Sequence, residues 1–158
     1  MKKRSKVYLI LGIILTIILV GCFAFYARLR NTYAAVDTAN PIEQLSFYEK
    51  NDSEITVVFY RTGCAACNKA EHVIVPNVRK AREKGQEVIV MDVSKLSKHE
   101  MAEIKERVPA AFANNHVPTP QIVKLKTDGM GDWETVNQSS LTTLDLRTLR
   151  QMLVGSDS

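Results

Sequence analysis

At 158 residues the chain has room for one modest domain and an anchoring segment, and its 46% hydrophobic and 24% charged residues are ordinary for a globular protein. The net charge of +4 is unevenly placed: residues 1–30 carry six basic side chains and no acid, leaving 15 basic and 17 acidic residues in 31–158. The basic balance belongs to the N-terminus, and a nucleic-acid footprint on the domain finds no support.

From Val7 to Ala27 there is no charged residue. As a helix this run would span about 31 Å, enough to cross a bilayer core. Lys-Lys-Arg-Ser-Lys precedes it and Arg28 and Arg30 follow, a balance that favours a cytoplasmic N-terminus and an exported domain. Two other readings stay open. Leu19-Val20-Gly21-Cys22 looks like a bacterial lipobox with Cys22 as the lipidated residue, although the apolar run continues through Tyr26. A signal peptide cleaved near Ala34-Ala35 would instead release a secreted protein. All three put the domain outside the cytoplasm, so residues 1–30 are assigned to an anchor or signal segment.

Residues 31–40 are small and polar and read as a linker. Pro41 can open a short helix with Asn40 as its N-cap and Ile42, Leu45 and Phe47/Tyr48 on its buried side. Ile55–Tyr60 is β-branched and aromatic, the pattern of a buried strand. A helix is expected over 64–84, stopped by Gly85, kinked at Pro76 and striped with Ala66, Ala70, Val73, Ile74 and Val78. The cluster Arg79–Lys84 suits the C-terminal end of that helix.

Glu87–Val93 is a second strand, and its near-continuous apolar run suggests a central position. Ser97-Lys98-His99-Glu100 has the form of a capping box, opening a helix with Met101, Ile104 and Val108 inward. Gln121–Lys126 is a third strand, Asp128–Gly131 a turn, and Trp133–Val136 a fourth strand. Leu141, Leu144, Leu149, Met152 and Leu153 form a last amphipathic helix. The order implies an α/β sandwich around a mixed four-stranded sheet.

Three cysteines are present, and Cys22 belongs to the N-terminal segment. The domain therefore holds one pair, Cys64 and Cys67, whose loop is too short to staple a fold entropically. In an export compartment such a pair reads as a working redox couple. At the first turn of a helix, Cys64 would meet unpaired N–H groups and the positive dipole end, which favour the thiolate. Cys67 comes round to the same side and can attack a mixed disulfide formed at Cys64. Gly63 lets the chain turn sharply into the helix. Arg61 reads as a rim charge that could also act on Cys64. An inert disulfide and a metal site are the competing readings, but structural zinc needs about four ligands and only His72, His99 and His116 could join the pair. Asn68 stands where haem attachment needs histidine. Trp133 reads as packing.

The strand leading into Cys64-Ala65-Ala66-Cys67, the element order, and Val117-Pro118-Thr119 before the third strand together resemble the thioredoxin-like family over about residues 41–154. The resemblance implies a thioredoxin-like sandwich over 41–158, preceded by one transmembrane helix. It also implies a cis Val117–Pro118 bond, with Val117, Pro118 and Thr119 docking substrate backbone. Two departures stand out. Val58 occupies the place of a buried acid found in many members, and Ala-Ala between the cysteines gives no cue to oxidant or reductant. The expected activity is thiol–disulfide exchange on exported cysteine-containing proteins. Its needs are a redox partner to recycle the Cys64–Cys67 disulfide, no other cofactor or metal, and membrane attachment through residues 7–27. The rival reading is a redox-inert interaction module in a membrane-associated secretion, bacteriocin or conjugation complex.

Overall fold

The computed structural model describes residues 2–51, 53–127 and 132–140; within α1 and at 139–140 some side chains are not included. The expected turn at 128–131 and the expected helix at 141–153 lie outside the described residues. Helix α1 (Lys2–Arg30) runs without interruption, and its described large apolar side chains, among them Leu15, Leu19 and Phe23, are exposed. Among the described residues, no helix is long and apolar enough to cross a membrane. The transmembrane helix expected from the sequence is therefore not found there; the continuous run of described side chains in α1 covers only 11–27.

The domain follows the expected order: α2 (Pro41–Glu49), β1 (Glu54–Tyr60), α3 (Ala65–Glu83), β2 (Glu87–Asp92), α4 (Lys98–Arg107), β3 (Gln121–Thr127) and β4 (Trp133–Ser140). The strands form one mixed sheet in the order β2-β1-β3-β4. β1 runs parallel to β2 and antiparallel to β3, and β3 pairs antiparallel with β4. β4 is longer than its apolar start predicts because its exposed polar residues continue the ladder past a register shift at Lys124/Leu125.

Alternation along β1 divides the core. Val58 and Tyr60 face α3 together with Val90, Ile122, Ile74 and Val78. Ile55, Val57 and Phe59 face the other way, against Leu45 of α2, Ile104 of α4 and Val123 and Leu125 of β3. Each large side chain buried this fully contributes roughly 1.5–3 kcal/mol relative to exposure. Phe47 does not share this burial; it is 61% exposed, because Leu45 and the half-buried Ile42 and Tyr48 supply the inward face of α2.

The capping box and the glycine stop form as the residue types predict, whereas Asn40 takes the N-cap position of α2 with a left-handed backbone and no side-chain cap hydrogen bond. The Ser97 hydroxyl accepts from the Glu100 N–H while the Glu100 carboxylate accepts from the Ser97 N–H. Gly85 takes a positive φ of 78° just past the end of α3, a conformation that costs other residues more. Pro76 sits inside α3, where the Asn77 side chain donates to the Val73 carbonyl at 2.8 Å.

β2 lies at the sheet edge, not at its centre. Its burial has another source. The Thr38 N–H donates to the Val90 carbonyl at 2.8 Å, and the Val90 N–H donates to the Thr38 hydroxyl at 2.9 Å. Arg82 of α3 donates to the Val36 carbonyl, the Thr38 hydroxyl and the Val88 carbonyl. The segment 31–40, a linker by composition, thus covers the open flank of β2 and adds Tyr33 and Val36 to the core. Arg79 of α3 also donates to the Arg30 carbonyl, tying the end of α1 to the same helix. Replacing Thr38 by valine leaves the buried Val90 N–H without its acceptor, which should cost roughly 1–3 kcal/mol. Chemical denaturation of Thr38→Val checks this; a segment that only tethers the domain would show no loss.

Candidate functional site

The site forms where β1 ends and α3 begins. Gly63 has φ 80°, and this left-handed residue turns the chain so that Cys64 becomes the N-cap of α3. The Cys64 N–H closes the turn by donating to the Arg61 carbonyl at 3.2 Å. The Cys64 sulfur accepts from the Cys67 N–H at 3.3 Å, so it caps its own helix. Cys67 lies one turn on, buried beneath Cys64, and both are free thiols.

Thr119 completes the surroundings of the outer sulfur. Its carbonyl lies 3.5 Å from Cys64 Sγ, and its hydroxyl donates to that sulfur at 3.7 Å. The expected cis bond at Val117–Pro118 is corrected by the structure: the cis bond is Thr119–Pro120. Prolines at 118 and 120 make the two placements alike in sequence, but Pro120 immediately precedes β3, so Thr119 is the residue brought to Cys64. Val117 is 2% exposed and packs in the core on the α2 and α4 face. Of the three expected docking residues, only Thr119 is hydrogen-bonded to Cys64.

The two thiols are driven apart electrostatically. Burial pushes the Cys64 thiol up, but hydrogen bonds from Cys67, from the Thr119 hydroxyl and from the Ala66 N–H outweigh it and leave Cys64 below the ordinary thiol range. Burial and the side-chain hydrogen bond to Cys64 raise Cys67. The outer sulfur is the one prepared to be a nucleophile. Arg61 is exposed and meets the pair through its backbone, which pulls Cys67 the other way. Val58 is fully buried and contributes only hydrocarbon to the cluster that holds Cys67.

Sequence reasoning missed Asp92. This carboxylate, 3% exposed at the end of β2, accepts from the Thr62 N–H at 3.2 Å and from the Thr62 hydroxyl. It also accepts from Ser94 through both the N–H and the hydroxyl. The loop between Tyr60 and Cys64 is therefore pinned across to the neighbouring strand. The available signal was a lone acid ending an apolar strand. Missed as well was Tyr33, which stacks on Tyr60 with ring centroids 4.5 Å apart.

His72, His99 and His116 are all exposed and do not join the cysteines. Among the described residues, no group of three or more His, Cys, Asp or Glu side chains could hold a metal ion. Two surface clefts, one lined by residues including Asp37, Arg82 and Glu87 and one by Glu103, Arg107 and Trp133, contain no cysteine. Cys64 itself is half-buried.

No family model matches the chain, and no curated protein matches it. Solved structures do. One, from a study of the thiol resolving mechanism in yeast mitochondrial 1-Cys peroxiredoxin via glutathione/thioredoxin systems, has TM-score 0.51 at 11% identity, covering 77% of this chain and 96% of that one. Mitochondrial thioredoxin 3 from Saccharomyces cerevisiae has TM-score 0.48 at 13% identity, covering 77% and 95%. A thioredoxin from Thermus thermophilus has TM-score 0.45 at 25% identity, covering 72% and 85%. The fold is thioredoxin-like, and it carries a close cysteine pair at a helix N-terminus.

Asp92 gives a pH prediction. Burial raises its carboxyl, but the hydrogen bonds from Ser94 and Thr62 outweigh that and hold it below the usual carboxylate range. A depressed acid contributes stability that is full above its unfolded value of about 3.9 and is lost as pH falls through the folded value. Asp92→Asn should lower stability at neutral pH by about 1–3 kcal/mol and flatten the acid limb of the stability profile. Urea unfolding between acid and neutral pH checks both.

Proposed function

We propose that the chain catalyses thiol–disulfide exchange at Cys64 and Cys67. The observation that carries this reading is the Cys64 sulfur at the α3 N-cap, accepting from the Cys67 N–H and lying within hydrogen-bond reach of Thr119. In the reducing direction the Cys64 thiolate attacks one sulfur of a substrate disulfide, and the other sulfur leaves with the bonding pair and takes up a proton. Cys67 then loses its proton and attacks the Cys64 sulfur. The mixed disulfide breaks, the substrate departs as a dithiol, and the Cys64–Cys67 disulfide remains, two electrons having passed to the substrate. Oxidation is the same path reversed. The Thr119 backbone beside the half-buried Cys64 sulfur supports a polypeptide substrate paired along its main chain. The Thr119 backbone and Pro118 beside it form the proposed docking edge.

Exported cysteine-containing proteins as substrates, and a redox partner that resets the pair, follow from the same proposal. So do attachment through residues 7–27 and a bacterial source: the uncharged run, the exposed apolar side chains described within it and the heavier basic cluster before it support a membrane-held domain on the extracytoplasmic side. Protease protection in sealed vesicles, probed at residues beyond 31, tests that placement, and cleavage from the cytoplasmic side contradicts it.

Cys67→Ala should accumulate a mixed disulfide with a disulfide-bonded peptide, released by reductant and absent from Cys64→Ser. Intact-mass spectrometry reads the adduct. No adduct, together with no turnover of a model disulfide by the unmodified chain, removes the exchange reading and leaves a redox-inert interaction module. The reduction potential of the pair then assigns direction, since known couples of this chemistry span about −270 to −120 mV.

A further inference from the structure

Behind the buried thiol, Val58 offers no polar group. A phenol stands in that region instead. Tyr33 is 3% exposed and packs in the same cluster as Val58, Tyr60 and Cys67, with Cys64 against it. Its ring lies flat on Tyr60, interplanar angle 8°. Its backbone N–H donates to the Glu71 carboxylate at 2.8 Å, one turn beyond Cys67 on α3, so the chain at 33 is fixed beside the cysteine turn. Yet the Tyr33 hydroxyl is buried without a hydrogen-bond partner. Such groups are rare in folded proteins and call for a reason.

We propose that Tyr33 is a positioning residue for the resolving step, its phenol O–H donating to the Cys67 sulfur when that sulfur ionises. This rests on the exchange reading above. Burial holds the phenol in its protonated form, and of the ionisable groups around it Cys67 acts on it most strongly, ahead of Glu71, Cys64 and Tyr60. The phenol is therefore a donor and not a base. The ionisable groups acting on it are Cys64 at the α3 N-cap, Cys67 and Glu71 on α3 and Tyr60 on β1; Asp37 and Asp92 act on Tyr60 in turn.

The step balances without Tyr33 changing its protonation. Cys67 gives its proton to solvent, and its thiolate attacks Cys64. The Cys64–substrate bond breaks, and the substrate sulfur leaves with the electron pair and is protonated by water. The phenol stabilises the thiolate that forms in a site where burial opposes it. A residue of the apparent linker thus supports the buried thiolate by hydrogen bonding and not by proton uptake.

The test is the ionisation midpoint of Cys67, read from the 13Cβ shift of labelled cysteine in the full chain carrying Cys64→Ser. Tyr33→Phe keeps the ring and its stack. It should raise the midpoint by about one pH unit and, with Cys64 present, slow resolution of a mixed disulfide about tenfold at neutral pH. An unchanged or lowered midpoint overturns the proposal. Tyr60→Phe keeps the ring pair and should leave the midpoint in place; an equal rise in both variants assigns the effect to packing and also overturns it. Should Tyr33→Phe fail to fold, 3-fluorotyrosine at 33, a stronger donor, should lower the midpoint, and no movement counts against the proposal. The midpoint needs no substrate. A chain that shows the shift but exchanges no disulfide defeats the exchange reading alone.

Discussion

Cys64 caps α3 with its own sulfur, so the unpaired N–H groups at the start of that helix act directly on the atom proposed to do the chemistry. A helix terminus favours a nearby negative charge by about 0.3–1 kcal/mol when exposed and up to about 2 when partly buried. One pKa unit corresponds to about 1.4 kcal/mol. The helix end alone therefore shifts a thiol by little more than a unit, and burial works against it. The hydrogen bonds from Cys67 and Thr119 decide the sign. The remainder of the structure keeps those few contacts in register.

Three elements supply that support. β1 delivers the chain to Gly63 from the middle of the sheet, with both faces buried. β3 begins at Gln121, directly after the cis Thr119–Pro120 bond, and so presents Thr119 to Cys64. β2 ends in Asp92, whose carboxylate reaches back to Thr62 in the loop before the cysteines. The pair thus sits where three adjacent strands end or start, and the same strand edges hold both the nucleophile and its neighbours.

Much of this was legible in the sequence, for identifiable reasons. The run at 55–60, the helix after Cys64 with Gly85 as its stop, and the Ser97/Glu100 capping box rest on local rules that tertiary packing did not override. What was not legible depended on partners distant in the chain. Two prolines flank Thr119, and only the register of β3 shows which peptide bond is cis. An apolar strand reads as central, yet β2 is an edge strand closed by Thr38 and Arg82. Residues 31–40 look like a tether because they are small and polar, and the burial of Tyr33 and Val36 appears only when α3 and β1 are assembled around them. The apolar run at 7–27 is plain in the sequence, whereas the described side chains of α1 alone do not amount to a membrane span.

The fold makes two chemically similar thiols unequal. Titrating Cys64 and Cys67 separately in the reduced chain, by the pH dependence of their alkylation under mass spectrometry, tests it most directly. Cys64 should react with a midpoint below the ordinary thiol value of about 8.5, and Cys67 only above it. Equal midpoints, or Cys67 as the more acidic thiol, would contradict it.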